Sequence, residues 1–304
     1  MISPAWLVAE AARGKGEHMV EPARRRIAVV TDSTADLPRD IAQQYGMHVM
    51  PQTLIMGGRT WRDGVDIHPA AFYELLRTSP DFPSTSQATA GEFEALFREA
   101  YQGVEGVVAV LVAGSLSGTI NSALVAAANM PDVPIEVVDS RAASMQQGFI
   151  ALAAGRAAAA GGDLQAVANA ARSLVGKVYV FFVIDTLVYI HRGGRIGAAA
   201  RLVGTVLNVK PVLALTDGHV EVVAKIRTRR KALDKLFQLV TQRVSPGDRL
   251  HAAVLHVAAP EEGRSLADEV EARFHPVELV RSECGPVIGT HVGPGTVGVA
   301  FYCD

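Results

Sequence analysis

The sequence contains few of the residues that build covalent cross-links or metal sites. Only two cysteines, Cys284 and Cys303, occur among its 304 residues. Two cysteines exclude a disulfide framework and a zinc site made of cysteines. We expect both to lie in the C-terminal core as small hydrophobic side chains. The His-Glu-x-x-His motif of many zinc enzymes is also absent, so no metal site is expected.

Long apolar runs are missing too. The longest, residues 107–113 and 179–184, have the lengths of strands and are far shorter than the roughly 18 to 20 residues of a membrane-spanning helix. Residues 1–16 have no basic segment ahead of their short apolar part, unlike a secretory signal. We therefore expect a cytoplasmic protein whose residues 1–25 form a loose N-terminal extension.

The chain has no excess of charge of one sign. It carries 29 Lys and Arg against 31 Asp and Glu, a net charge of −2. This balance provides no field that would gather nucleic acid or an anionic membrane surface. With 49% hydrophobic and 20% charged residues, the composition is that of a globular protein. At about 150 residues per domain, the length suggests two domains.

The first half of the chain alternates short apolar runs with helix signals. Residues 106–112 are apolar throughout, as expected of a strand buried on both faces. Thr89 and Glu92 have the spacing of a capping box, which predicts a helix to about Tyr101. Further strands are predicted at 27–31, 48–55 and 135–139, and further helices at 38–45, 119–129, 142–160 and 164–174. This alternation predicts a mostly parallel sheet covered by helices on both faces.

The second half follows a different order. Asp217-Gly218 between the apolar runs 211–216 and 219–226 is the strongest hairpin signal in the chain, and a hairpin requires antiparallel pairing. Two amphipathic helices are predicted at 229–243 and 261–274, with strands at 250–256, 277–283 and 297–303. We therefore predict an α/β fold of two domains. Residues 26–172 form an α/β domain with a mostly parallel α/β/α sheet, and residues 173–304 form an α+β domain with a mixed or antiparallel sheet.

Small polar clusters follow several predicted strands. They are residues 31–33, 85–87, 115–119 and 185–186. Loops at the carboxyl ends of parallel strands meet at one edge of the sheet, where α/β proteins bind ligands. Hydroxyls and backbone N–H groups at such an edge can hold an anion. Each cluster taken alone fits helix capping better than a binding site. Because four such clusters occur, a binding site and a set of caps both remain open.

Familiar catalytic motifs are missing. Residues 117–119 have no lysine before the hydroxyl residue, as a Walker A loop would, and no Gly-x-Ser-x-Gly elbow occurs. Residues 191–197 lack the glycine spacing of a dinucleotide site and are interpreted as a flexible surface turn. Residues 285–295 form a dense Gly- and Pro-rich turn around His291. Because glycine allows close backbone approach, His291 is either a ligand contact or a structural residue.

Six blocks of the sequence, taken in order, resemble those of the DegV family. They are residues 31–37, 85–87, 116–119 with 122–123, 193–196, 207–211 and 285–295. The resemblance covers the chain from Arg26 to its last residue. It implies a two-domain protein that holds a long-chain fatty acid between the domains, with the acyl tail in an apolar tunnel. It also implies a partner, because such bacterial proteins present the fatty acid to an ATP-dependent fatty acid kinase that makes an acyl phosphate.

The resemblance also implies, position by position, which residues hold the carboxylate. Hydroxyl groups and one histidine would bind it, and an arginine would lie nearby. The implied residues are Thr85, Ser86, His291 and either Arg227 or Arg229. No catalytic residue and no cofactor is implied, since the fatty acid is a bound ligand. The protein is thus expected to be a carrier rather than an enzyme.

The chain departs from the family just before the 116–119 block. The family usually has two serines where this chain has Ala113 and Gly114. We expect Ser115, Ser117 or the N–H of Gly114 to take the place of the missing serine hydroxyl.

The kinase would need a docking surface near the carboxylate. Arg192, Arg195 and Arg201 lie in a Gly-rich segment that could present positive charge to it. Guanidinium groups at a rim mainly increase the rate of association.

Two other functions remain open at the level of the sequence. One is a hydrolase or transferase that uses Ser86 or Ser117 as nucleophile with His291 as base, although no third residue is found to orient the histidine. The other is a phosphotransfer-type sugar-binding module in which a histidine accepts the phosphoryl group. Mass spectrometry of the denatured protein would separate these functions. A co-purified fatty acid would indicate a carrier, and a covalent acyl or phosphoryl adduct would indicate an enzyme.

Overall fold

In the computed structural model, which describes residues 25–197 and 209–304, a parallel sheet occupies the N-terminal half. This sheet 1 contains β1 (Ile27–Asp32), β2 (His48–Met50), β6 (Gly106–Leu111) and β7 (Ile135–Asp139), in the order β2-β1-β6-β7. All of its strand pairs are parallel. Successive side chains of β1 and β6 enter apolar cores on opposite faces. Continuous apolar runs are required because both faces are covered.

Helices cover both faces of sheet 1. One face packs against α3 (Ala90–Ala100) and α4 (Thr119–Ala128). The other packs against α5 (Met145–Ala159) and α6 (Leu164–Leu174). Thr89 and Glu92 form the predicted capping box at the start of α3. The prediction of a parallel sheet between helices is therefore confirmed.

A second, mixed sheet forms the C-terminal half. Sheet 2 contains β8 (Tyr179–Val183), β9 (Lys210–Thr216), β10 (His219–Ile226), β11 (Leu250–His256), β12 (Glu278–Glu283) and β13 (Val297–Cys303). Its order is β10-β9-β8-β13-β11-β12. Only the pair β11-β12 is parallel. Its outer face packs against α8 (Arg229–Thr241) and α9 (Pro260–Phe274). The predicted mixed sheet is thus present.

Helix α5 lies between the two sheets and contacts both. Gln147 donates to the hydroxyl of Thr31 in β1, whereas Gln146 donates to the backbone carbonyl of Val178 beside sheet 2. Phe149 packs edge-on against Tyr302 of β13, with ring centroids 5.3 Å apart. The alanine and glycine residues of α5 are small and allow both sheets to approach the helix closely. This packing explains why the helix is rich in alanine. One apolar core therefore joins the two halves.

The predicted domain boundary between residues 172 and 173 stays a prediction. Helix α6, which packs on sheet 1, continues two residues beyond it to Leu174. Of the predicted extension, residues 1–24 lie outside the described residues. The guanidinium of Arg25 donates to the backbone carbonyl of Gln44 at 2.7 Å.

The single strand predicted at residues 48–55 is wrong, because Pro51 divides it. β2 belongs to sheet 1, whereas β3 (Thr53–Met56) pairs with β4 (Arg59–Arg62) and β5 (Ser84–Ser86) in a small antiparallel sheet. Gly57 and Gly58 form the two-residue turn from β3 to β4, both with positive φ, which glycine adopts without strain. Along the chain, α1 (Arg39–Gln44) precedes β2, and α2 (Pro69–Thr78) lies between β4 and β5.

Two segments that were predicted as turns contain short helices. α10 (Pro286–Val292) occupies most of the Gly- and Pro-rich segment; Pro286 fits its first turn because the N–H of that position needs no helical partner. α7 (Val188–Arg192) precedes the turn with Arg195, and Ile196 beyond it is buried. The interpretation of residues 191–197 as a surface turn is therefore only partly correct.

The described residues also bear on membrane and metal binding. Within 25–197 and 209–304, no helix is both long and apolar enough to cross a membrane. The same residues contain no group of three or more His, Cys, Asp or Glu side chains placed to hold a metal ion. Cys284 is buried as expected, and Cys303 is half-buried at the end of β13.

Candidate functional site

A cavity of about 140 Å³ lies between sheet 2, the small sheet and α10. Sheet 2 contributes an apolar wall, made of Val180, Phe182, Leu215, Val220 and Leu255. Val112, Leu116, Ala143, Val287, Ile288 and Val292 extend the apolar lining. The polar lining is smaller and includes Gln52, Thr85, Ser86, Ser117, Arg195 and His291. Such a site suits a molecule with a long apolar part and a polar end.

His291 and Thr85 meet in the polar part of this cavity. Thr85 is the middle residue of β5, and His291 lies near the end of α10. Thr85 Oγ1 and His291 Nε2 are 2.9 Å apart and share a hydrogen bond. His291 Nδ1 is buried and has no hydrogen-bond partner among the described residues. The ring thus has one nitrogen held by Thr85 and one that packs against Gly193 without a hydrogen-bond partner.

His291 is neutral at neutral pH. Burial of the ring, and then the nearby charge of Arg195, lower its pKa from 6.5 to about 4. Both effects disfavour the imidazolium form. Gly193 allows this packing, because a Cβ at that position would overlap His291 Nδ1. In this form the histidine acts as a hydrogen-bonding group and not as a counter-ion.

The two candidate serines line the cavity but are not bonded to His291. Ser86 donates to the backbone carbonyl of Gln87 at 3.3 Å. The hydroxyls of Ser117 and Thr119 share a hydrogen bond of 2.8 Å. A serine nucleophile needs its base within hydrogen-bond distance. In the described geometry, the partner of His291 Nε2 is Thr85 and not either serine.

The segment with the two missing serines is arranged differently from what we expected. The N–H of Gly114 faces the carboxylate of Asp139, at 3.3 and 3.4 Å, and Gly114 is not part of the cavity lining. The hydroxyl of Ser115 donates to the backbone carbonyl of Gly218 at 2.9 Å. Of the three groups considered, only Ser117 lines the cavity.

The arginines differ in their relation to the cavity. Arg195 lines it, and its guanidinium donates to the backbone carbonyls of Leu116 and Gly193 at 3.1 and 2.7 Å. Arg195 was predicted only as a docking residue, but the structure places it on the wall of the cavity. Arg192 lies outside, with its guanidinium 4.9 Å from the ring centroid of Phe82. Arg201 lies outside the described residues.

The two arginines implied as head-group cations lie away from the lining. Arg227 is exposed and does not line the cavity. Arg229 pairs with Glu262 at 2.6 Å and donates to the backbone carbonyl of Gly295. The structure therefore does not bring Arg227 or Arg229 together with Thr85 and His291. Within residues 25–197 and 209–304, the arginine that shares the cavity lining with them is Arg195.

Two buried carboxyl groups hold the start of α10 against the N-terminal half. Asp36 Oδ1 accepts from the N–H of Gly285 at 2.7 Å, and its Oδ2 accepts from the hydroxyl of Ser144. Asp63 lies close by and accepts from the N–H of Val287 at 3.4 Å. Burial raises the pKa of both Asp36 and Asp63 to about 7, although these hydrogen bonds oppose the rise. The position of α10, and so of His291, depends on these carboxyl groups.

Gln52 is a cavity residue that the sequence did not reveal. It is 3% exposed and lies between β2 and β3. A signal was present, because Gln52 is a polar residue inside the run 48–55 that was predicted as a strand. Its role depends on the direction of its side chain, which only the structure provides.

These features define a class: an α/β protein with a partly open, largely apolar cavity that has a polar part. The family model for DegV, described as "Uncharacterised protein, DegV family", matches residues 26–304. A DegV domain-containing protein of Streptomyces coelicolor is 39% identical over 277 residues, which cover 90% of this chain and 98% of that protein. The chain belongs to the DegV family.

Solved structures of the family have the same fold. A DegV family protein from Thermus thermophilus, described for its fatty acid binding, superposes with a TM-score of 0.86 and 36% identity. DegV of Bacillus subtilis, described as a fatty acid binding protein, superposes with a TM-score of 0.84 and 32% identity. Each comparison covers 92% of this chain and 100% of the other.

Proposed function

We propose that this protein binds a long-chain fatty acid and presents its carboxylate to a second protein. The observation that carries the proposal is the cavity, with an apolar wall from sheet 2 and the bonded pair Thr85 and His291 in its polar part. The fatty acid binding described for the Thermus thermophilus and Bacillus subtilis relatives supports it.

The tail supplies most of the affinity in this proposal. Each methylene removed from water contributes roughly 0.8 kcal/mol, so a long chain gains far more than a single head-group hydrogen bond. The apolar wall includes Phe182, Leu215 and Leu255. The polar groups of the lining then fix the orientation of the ligand, with its carboxylate at the exposed side of the cavity.

The head group lies beside Thr85, Ser117 and His291 in this proposal. Arg195 supplies positive charge and is the cation on the cavity wall, in place of the expected Arg227. A carboxylate accepts hydrogen bonds from hydroxyls and an imidazole N–H, and charge strengthens these bonds. Ser86 is exposed on the same strand as Thr85 and completes the set of hydroxyls.

We further propose that the second protein is a fatty acid kinase. It would transfer the γ-phosphoryl group of ATP to a carboxylate oxygen, giving an acyl phosphate and ADP. Arg192, the last residue of α7, stacks on Phe82 and offers an exposed cation for docking. The protein would be a carrier without chemistry of its own and would act in the cytoplasm with its kinase.

Mass spectrometry of the purified protein tests the binding proposal. Under native conditions we expect the mass of the chain plus one fatty acid, and after denaturation the mass of the free chain with a C14 to C18 acid released. A covalent acyl or phosphoryl adduct on the denatured chain would contradict the proposal. It would favour the acyl-transfer or phosphotransfer hypotheses.

The kinase proposal needs a separate experiment. Arg192→Glu should slow acyl-phosphate formation by the cognate kinase and leave fatty acid affinity unchanged, because Arg192 is not part of the cavity lining. The wild-type rate should fall as salt is added, because salt screens the attraction between exposed charges. An unchanged rate for Arg192→Glu would remove Arg192 from the docking surface.

A further inference from the structure

Gln52 is held in place by its backbone. Its N–H donates to the hydroxyl of Ser33 at 3.1 Å, and its carbonyl accepts from the N–H of Asp63 at 2.9 Å. The residue is 3% exposed and its side chain belongs to the cavity lining. These two backbone hydrogen bonds therefore fix the position of the Gln52 Cα at the cavity wall.

The orientation of the Gln52 amide is fixed as well. Its Oε1 accepts from the N–H of Ala88 at 3.1 Å and from the hydroxyl of Thr119 at 3.5 Å. If the amide were turned over, its NH2 group would face the N–H of Ala88, donor against donor. The side-chain carbonyl of Gln52 is thus hydrogen-bonded within the protein, which leaves the NH2 group on the other side of the amide.

The NH2 end of Gln52 has no hydrogen-bond partner in the described part of the chain, although it is buried. Buried polar groups are nearly always hydrogen-bonded, and an exception calls for an explanation. Ala88 and Thr119 follow the segments that contain Thr85 and Ser117. The unpartnered donor therefore belongs to the same polar wall as the head-group hydroxyls.

We propose that Gln52 is a specificity-determining residue whose Nε2 donates a hydrogen bond to the carboxylate of the bound fatty acid. This inference rests on the proposed function. Thr85 and His291 already bond to each other, and Ser117 bonds to Thr119, so a carboxylate with up to four lone-pair positions still needs a donor that is not engaged elsewhere. A neutral amide meets that need without a charge that would require its own counter-ion. Gln52 would thereby favour an acid over a fatty alcohol of the same length.

The test compares hexadecanoic acid with 1-hexadecanol on delipidated protein, by displacement of a fluorescent fatty acid. For Gln52→Leu we expect the affinity for the acid to fall about tenfold, equivalent to about 1.4 kcal/mol, with little change for the alcohol. For Gln52→Glu the loss should be larger, because two carboxylates would face each other. Gln43→Leu, an exposed change on α1, serves as the control.

Each result is decisive. If Gln52→Leu fails to fold, Gln52→Glu decides, since it keeps an oxygen to accept from Ala88. Unchanged affinity for the acid, or an equal loss for acid and alcohol, would overturn the inference and leave Gln52 a structural residue. If the wild type binds neither probe, the proposed function itself fails, a result distinct from a change in the ratio between acid and alcohol.

Discussion

The ring of His291 and the hydroxyl of Thr85 share a hydrogen bond of 2.9 Å across 206 positions of the chain. The histidine lies on α10 and the threonine on the small antiparallel sheet. The bond therefore orients the imidazole from outside its own helix. Any change at Thr85 alters both a hydroxyl in the cavity and the position of His291.

Thr85→Val should weaken fatty acid binding roughly tenfold or more, because a hydrogen bond to a charged group is worth about 1.5 to 3 kcal/mol. Valine keeps the shape of threonine and removes only the hydroxyl. The affinity is measured by displacement of a fluorescent fatty acid. Thr78→Val is the matched control, since the hydroxyl of Thr78 donates to carbonyls of its own helix, α2. Equal affinity of the Thr85 variant and the wild type would show that Thr85 only positions the strand.

The ring of His291 should titrate near pH 4 in an NMR experiment on the folded protein, because burial lowers its pKa. Arg195→Gln should raise that pKa towards 6.5, since it removes the positive charge that contributes to the lowering. The rise should be incomplete, as burial, the larger cause, remains. A His291 pKa unaffected by the Arg195 substitution would contradict the placement of the guanidinium beside the ring.

Gly193→Ala should displace His291 and reduce fatty acid affinity by about tenfold, the effect of losing one charged hydrogen bond. Gly193 has a φ of −71°, so alanine meets no backbone strain there, and the effect comes from the overlap of the new Cβ with His291 Nδ1. Gly91→Ala is the matched control, because no atom lies within 4 Å of a Cβ built at that helical position. Normal affinity in both variants would show that the packing of Gly193 against His291 has no role in binding.

Asp36 should make the protein less stable as the pH rises. Its carboxyl loses its proton near pH 3.8 in the unfolded chain but only at about 7 in the folded protein. The folded state therefore holds the extra proton between these values, and the free energy of unfolding falls as the pH rises through that window. His291, whose pKa is lowered to about 4, acts in the opposite direction between about 4 and 6.5.

Asp36→Asn isolates the contribution of this one carboxyl. Urea unfolding between pH 4.5 and 6 should give a free energy that falls less steeply with pH than in the wild type. The expected difference is about 1.4 kcal/mol per pH unit, the value for one proton. Asparagine keeps an oxygen that accepts from the N–H of Gly285. Identical slopes for the two proteins would show that Asp36 is ionised across this range.

Local sequence patterns were sufficient to predict much of the fold. The apolar run of β6, the capping box of Thr89 and Glu92, and the Asp217-Gly218 turn each depend on neighbouring residues only. Asp217 and Gly218 both have positive φ in the structure, as the turn requires. Where a local pattern conflicted with tertiary pairing, the prediction failed. Pro51 ends one strand, and the next strand joins a different sheet.

The site could be predicted only in part, since its geometry depends on distant contacts. The resemblance to the DegV family indicated Thr85, Ser86 and His291, which line one cavity. It also indicated Arg227, which lies outside the lining. Arg195 occupies the wall because of its bond to Leu116, 79 residues away. Nothing in the neighbourhood of Arg195 in the sequence encodes that contact.

Helix α5 has a consequence for protein engineering. It packs on sheet 1 with one side and on sheet 2 with the other, so its surface is fitted to two partners at once. A chimaera that took its N-terminal half from one relative and its C-terminal half from another would leave this helix mismatched to one of its sheets. The smallest piece of this fold that can be exchanged between relatives without repacking is therefore both sheets together with the helix between them.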